Sequence, residues 1–421
     1  MSEASVSGNK ALYDKRLADY LDTVDCKPID HVLAAPHIGI VPVTLYGKEY
    51  GLTVQSLMED FNSGIEAYLR YHEEFQPDLA CPPSSLPSKP AMEVMDTNLF
   101  HWPGKHIADP MALIQYLDTV YMQREEYQEY IDDPTGFMMS KVLPRQHAAL
   151  KGLGMVNLSE PIYYGAFFNM IPFALPPVKA ALEAMSTTGG IMLGVAEAMG
   201  NYEKAYEEAG WPSMIDIGAS IPFDLFNDTL RGLTEINYDM LDCPDLLLEA
   251  VDKATRIETR NLRAQMQQMH ARTVYFFLHN GTDYFMSREQ FETFYWPGLK
   301  AMCEVVAECG GIAKVFTEDK YDAKLDILAT LPKGHTIVHL VNSDLKKAKE
   351  AFAGKVCFSG GVDSTLLAFG SPDQVVKQVT EVLDTCAEGG GYILDTMTSL
   401  DMVKPENLHA MFDTARAYQP K

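Results

Sequence analysis

From about residue 213 the chain settles into a repeating pattern. A short apolar run is followed by a longer stretch with apolar residues at helical spacing. The runs are SMIDIGAS, TVYFFLHN, AKVFTED, TIVHLVN, KVCFSGG and GYILDT. Each is almost continuously apolar, as strands covered on both faces are. The stretches between them carry helix punctuation. Ser287-Arg288-Glu289-Gln290 is a capping box whose helix closes at Gly310-Gly311, and Trp296-Pro297 predicts a kink inside it. Ser371-Pro372-Asp373 starts another helix, with Ser as N-cap and Pro in the first turn. Val375, Val376, Val379, Val382 and Leu383 form its buried stripe, and Gly389-Gly390-Gly391 ends it. Strand–helix alternation of this kind means parallel strands joined by right-handed crossovers. A doubly wound sheet and a (β/α)8 barrel both satisfy it. The length and the continuing units favour the barrel, with reactive groups at the carboxyl ends of the strands.

The N-terminal half is less regular. Residues 12–22 and 52–75 read as helices, and residues 78–106 form a Pro- and Ser-rich loop or cap. Residues 122–153 read as helices broken at Asp133-Pro134. The expected organisation is an N-terminal helical extension over 1–75 and an α/β unit over 76–421, a (β/α)8 TIM barrel.

Composition narrows the partners. Asp and Glu total 58 against 34 Lys and Arg, a formal charge of −24. That argues against nucleic acid and against anionic membrane surfaces, whose phosphates need a basic face. The 7 Cys include no CxxC pair, so neither a disulfide framework nor a thiolate zinc knuckle is indicated. There is no apolar signal region at the N-terminus and no run long enough to cross a bilayer, so a cytoplasmic protein is expected.

The residues closing the apolar runs supply the candidate chemistry. They are His279, Asn280 and Asp283; Glu318 and Asp319; His339; Asp363; and Asp395. Each has a structural reading as well. Asp363 and Asp319 are placed to cap helices, Asp283 to fix a turn, and His279 to sit satisfied in the core. Glu318 is the hardest to read that way, because an ionised carboxylate at a strand end requires a partner.

Ser359-Gly360-Gly361-Val362-Asp363-Ser364 matches the SGGxDS loop with which ATP pyrophosphatases wrap pyrophosphate at a helix N-terminus. That loop follows the first strand of its domain. Here only 421 − 364 = 57 residues follow, too few for the rest of such a sheet. The reading is disfavoured; in a barrel the glycines let the backbone turn at the rim.

Several stretches resemble the uroporphyrinogen decarboxylase superfamily. They are GASIPFDLFNDTLRGLTEINYDMLDCPDLLLEAV, MSREQFETFYWPGLKAM, SGGVD with FGSPDQVVKQV, and GGGYIL with KPENLHAM. The resemblance covers about residues 213–415 and implies a (β/α)8 barrel. The decarboxylases carry an Arg-bearing N-terminal run of the M-R-Q-A-G-R kind, which this chain lacks. The other branch consists of corrinoid-dependent methyltransferases. Thiol-methylating members bind zinc through H-x-C and a Cys in the last strand's loop. Here those positions read Phe316-Thr317-Glu318 and Asp395-Thr396-Met397-Thr398. Glu318 and His339, at Glu-x20-His, look like the zinc pattern of O-demethylase methyltransferases, with Asp395, Cys357 or Asp319 as the further ligand. The resemblance implies transfer of a methyl group from an aromatic methyl ether to the cobalamin of a separate corrinoid protein. Zinc acts there as a Lewis acid on the departing oxygen. Phe223, Phe226, Tyr284, Phe285 and Met286, with His279, Asn280, Asp283 and Asp363, are the candidate substrate contacts. Two alternatives are a methylcorrinoid:tetrahydrofolate methyltransferase and a non-catalytic ligand-binding barrel. Homo-oligomerisation is left open.

Overall fold

A computed structural model describes residues 3–83, 86–158 and 164–419. All six expected strands are present. The labelled strands are β1 Leu33–Ala34, the antiparallel pair β2 Phe100–His101 and β3 Gln115–Tyr116, then β4 Ile217–Ser220, β5 Thr273–Leu278, β6 Ile312–Thr317, β7 Thr336–Leu340, β8 Cys357–Val362 and β9 Tyr392–Thr396. The main sheet is wholly parallel, in the order β1-β9-β8-β7-β6-β5-β4. Its two edges meet through residues 78–81. The Asp78 amide donates to Ala34 O, and Ala80 pairs with Ser213 in a parallel bridge. That segment is the eighth stave, so the sheet closes into a barrel.

The first stave lies inside the span read as an extension. Residues 33–34 pair with β9, so the barrel begins before residue 76 and includes part of 1–75. The reason is length. A two-residue strand cannot show a strand period.

Helix boundaries follow their punctuation. Ser287 and Ser371 each accept from the amide three residues on, in capping boxes with Gln290 and Gln374. Asp133 caps the turn beginning at Pro134. Trp296-Pro297 does not bend a continuous helix; a π-turn over Phe291–Tyr295 precedes a helix over Trp296–Glu308. Pro297 has no N–H to give, so the ladder is widened just ahead of it.

The glycines of SGGVDS have a geometric role. Gly360 has φ +118°, and a Cβ there would lie 2.2 Å from Leu340 O on β7. Gly361 has φ +104°. The string forms the end of β8, and Asp363 caps the helix Ser364–Phe369 by accepting from the Thr365 amide. Gly360→Ala is therefore expected to destabilise the fold by ~3 kcal/mol or more in urea unfolding. Gly354→Ala, at φ +68° but with open space around it, is expected to cost only about 1–2 kcal/mol.

Candidate functional site

Parallel staves alternate inward and outward side chains, so every second residue of a strand faces the barrel axis. Lys314, Phe316 and Glu318 share one face of β6 and its extension. Phe316 pairs in register with His339 of β7, and their rings stack at 4.6 Å. Glu318 therefore stands two residues above the level of His339, roughly 7 Å further along the stave.

Below Glu318 the barrel core holds a polar network. Asp395, fully buried at the end of β9, receives Lys314 Nζ at 3.0 Å and lies 3.1 Å from His339 Nδ1. Its other oxygen accepts from the backbone amides of His37 at 2.9 Å and Thr396 at 2.8 Å. Burial alone would raise the Asp395 carboxyl. The Lys314 ammonium and His339 override it and hold the group well below the ordinary carboxylate range. His339 is also fully buried. Its Nδ1 lies 3.0 Å from Ser359 Oγ and its Nε2 3.3 Å from Met397 O.

Above the network the barrel opens into a cavity of about 500 Å3. Phe277 and Phe316 line it with Ile40, Leu86, Leu113 and Ile114; His37, Glu318 and Asp401 are its titratable groups. Glu318, about 38% exposed, reaches His279 rather than His339. Its Oε1 lies 3.3 Å from His279 Nε2. On the other side of that ring Nδ1 lies 2.5 Å from Asp228. Burial pulls against protonation of His279, but hydrogen bonds to Asp228 and Glu318 overcome it and raise the imidazole to about 11. The ring is an imidazolium held between two carboxylates. Behind it lies Asp224, buried, accepting from Tyr295 OH and from the His279 and Asn280 amides. Burial first, and then the charge of Asp228, push Asp224 up to about 7.

The other expected site residues have other duties. Phe223 and Phe226 are fully buried core; Phe226 packs on Tyr127 and Tyr130, and Phe223 on Tyr295. They do not reach the cavity. Asp319 accepts from Asn342, tying the loops after β6 and β7 together. Asp283 pairs with the buried Lys324 and accepts from the Ala323 amide. Asn280 donates to Asn227. Tyr284 is 71% exposed, Phe285 is exposed and Met286 is buried. Asp363 is a helix cap, as its structural reading had it.

The expected zinc set is not assembled. His339 and Asp395 are engaged with Lys314, Ser359 and Met397. Cys357 opens β8 at the opposite end of the stave, fully buried, with its thiol pushed well up by burial. Among the described residues no three or more His, Cys, Asp or Glu side chains converge on one point. Glu318 faces His279 Nε2 and, among the described residues, no second histidine, which leaves two donors at that point. A resident zinc site uses three or four.

His37, Asp224, Asp228, Lys314 and Tyr275 were not found from sequence. His37 follows a stave too short to mark a strand end. Asp224 and Asp228 lie on PFDLFNDTLR, a stretch singled out above for its aromatic residues.

Residues 216–418 match the sequence profile of the family described as Uroporphyrinogen decarboxylase (URO-D). A methyltransferase from Methanosarcina mazei superposes with a TM-score of 0.60 over 96% of this chain and 98% of that one, at 16% identity. At that identity the likeness is one of fold. A B12-independent methionine synthase from Shewanella sp. W3-18-1 matches at a TM-score of 0.36 and 11% identity, over 52% of this chain and 66% of that one, too weakly to carry an argument. No curated protein matches the chain. Residues 216–418 are thus similar to the uroporphyrinogen decarboxylase family, and the fold as a whole is one shared with the Methanosarcina methyltransferase. No described helix is long and apolar enough to cross a membrane.

Two outcomes follow from the charges. Lys314→Met leaves Asp395 buried without its cation, and urea unfolding is expected to show a loss of about 3–5 kcal/mol. His279 is raised on folding from an ordinary value near 6.5. Its contribution to stability is therefore complete below about pH 6.5 and is lost as pH rises toward 11. The stability gap between wild type and His279→Gln is expected to narrow between pH 7 and pH 10; a gap that widens contradicts the imidazolium assignment.

Proposed function

We propose that the chain moves a methyl group from an aromatic methyl ether to the cobalt of a corrinoid presented by a separate protein. The observation that carries the reading is the barrel-mouth cavity: walls of Phe and aliphatic side chains, with Glu318 on its lining and His279 3.3 Å from that carboxylate. The apolar walls suit a benzene ring and exclude water from the reacting bond.

The balance of the reaction sets what the chain must supply. The methyl carbon leaves oxygen and joins the acceptor. The electron pair of the broken C–O bond stays on oxygen as a phenolate, which must be stabilised or protonated. The proton at hand is on His279 Nε2, shared with Glu318. Asp228 fixes the ring through Nδ1 and keeps it charged. General-acid assistance of this kind is worth about 10²–10⁴ in rate. Zinc is given no step here, because two converging donors fall short of a resident site.

The test uses the purified protein, a reduced Co(I) corrinoid protein and methoxyarenes of the guaiacol and vanillate type. Phenol release with loss of the Co(I) absorbance is expected, slowed about 100-fold or more in His279→Gln and Glu318→Gln. Methyl-tetrahydrofolate formed from a methylcorrinoid, with no phenol from any ether, overturns the reading in favour of the reverse direction. Metal analysis is the companion measurement. Zinc well below one per chain and a rate insensitive to chelator are expected. One zinc per chain, lost in Glu318→Ala and His279→Ala but kept in His339→Ala, replaces the proton with a metal ion at the same pair.

A further inference from the structure

We propose that His37 is a substrate-binding residue, whose Nε2–H donates a hydrogen bond to the ether oxygen of the ring ligand. This rests on the reading above and adds to it the group that recognises the oxygen.

The geometry begins with the backbone. His37 lies just past β1, at the mouth of the barrel. Its amide donates to Asp395 Oδ1 at 2.9 Å, and its carbonyl accepts from the Leu400 amide at 2.9 Å. The residue is thus pinned to β9 and to the loop beyond it. Its side chain is only 2% exposed, yet it lines the 500 Å3 cavity. Nδ1 lies 3.1 Å from Tyr275 OH.

That contact settles the tautomer. His37 Nδ1 is the hydrogen-bond partner of Tyr275 OH, a phenol buried on β5 whose acidity burial suppresses. A phenol left as acceptor alone would keep an unpaired buried O–H, which is costly. Tyr275 therefore donates to Nδ1, and the ring's remaining proton sits on Nε2. The neighbouring acceptors are taken: Asp395 by four donors, and Ser359 Oγ and Met397 O by His339. Among the described residues Nε2 of His37 has no protein partner. A donor with no protein partner, on a residue only 2% exposed that lines the cavity, is placed to serve a ligand acceptor.

The surroundings specify which acceptor. Burial, and then the Lys314 ammonium, lower His37 to about 3, so it donates as a neutral imidazole and gives up no proton of its own. Lys314 is paired with Asp395 and does not line the cavity, whose other titratable groups are Glu318 and Asp401, so the acceptor that suits His37 is an uncharged oxygen. Phe316 stands edge-on to the His37 ring at 6.3 Å, and Phe277 lines the same wall. An aryl methyl ether offers His37 a lone pair to accept with; a quaternary ammonium group offers none. An ether oxygen has two lone pairs, so it can accept from His37 while the His279 proton remains available to it.

Binding is measured by calorimetry on the protein alone, with anisole and ethylbenzene, which differ by O for CH2. Wild type is expected to prefer anisole by about tenfold, the scale of one added hydrogen bond in an apolar site. His37→Asn keeps an amide at the Nδ1 position for Tyr275 but places nothing at Nε2; its preference is expected to fall to about twofold or less. His37→Gln, whose amide reaches the Nε2 position, is expected to keep most of the preference. Tyr275→Phe, which frees the tautomer, should weaken it in part. Trimethylanilinium, which cannot accept a hydrogen bond, is expected to bind equally to wild type and His37→Asn. Equal wild-type affinity for anisole and ethylbenzene overturns the proposal, as does an undiminished preference in a folded His37→Asn. The two readings fail separately. His37-dependent anisole binding without methyl transfer to any corrinoid ends the reaction and keeps this site. Methyl transfer indifferent to His37 does the reverse.

Discussion

The arrangement around the barrel mouth depends on one buried negative charge. Asp395 has no access to water, and an isolated carboxylate there would either take up a proton or unfold the barrel's end. It does neither because Lys314 from β6, His339 from β7 and the amides of His37 and Thr396 surround it. Four points of the barrel wall are thereby tied to one atom group. The floor of the cavity is consequently rigid, and the loop carrying His37 is fixed by main-chain bonds rather than by side-chain packing. The cost is that His339 and Asp395 have no valence left for a ligand.

Three histidines show how environment divides labour within one barrel. His339 is locked between Asp395, Ser359 and a backbone carbonyl. His37 sits beside the same network, but burial, and then the Lys314 ammonium, hold it neutral. His279, at the rim, lies between Asp228 and Glu318 and is charged. The same side chain is thus a structural strut, a neutral donor and a cation within three turns of the barrel wall. Which role each takes follows from the sign of the nearest full charge and from whether water can reach it.

Much of the scaffold was legible because long buried strands announce themselves. TVYFFL and TIVHL are continuously apolar, and their neighbours carry clear caps at Ser287 and Ser371. The two staves at 33–34 and 78–81 were not, because so short a run has no period to read. Glu318 was singled out for the right reason, a carboxylate at a strand end that needs a partner. Its partner was misassigned because sequence spacing identifies the neighbouring stave but not the level on it. Phe316, not Glu318, is in register with His339, and the two-residue offset carries Glu318 out of reach toward His279. Phe223 and Phe226 look like ring contacts in a list of aromatic loop residues. Only the packing of Tyr127, Tyr130 and Tyr295 against them shows that they are core.

The SGGVDS string illustrates the same limit from the other side. In a phosphate loop, paired glycines free backbone N–H groups to face an anion. Here they let β8 pass close to the Leu340 carbonyl with positive φ, and the following Asp363 closes a helix N-terminus with its own carboxylate. An acidic side chain already seated on those amides occupies the place a phosphate would take and repels it. Six identical letters thus specify opposite electrostatics, and the difference is set by the stave that precedes them. The polar groups that a ligand in this barrel would meet therefore lie elsewhere, at His37 and Glu318 on the cavity wall, with His279 behind Glu318.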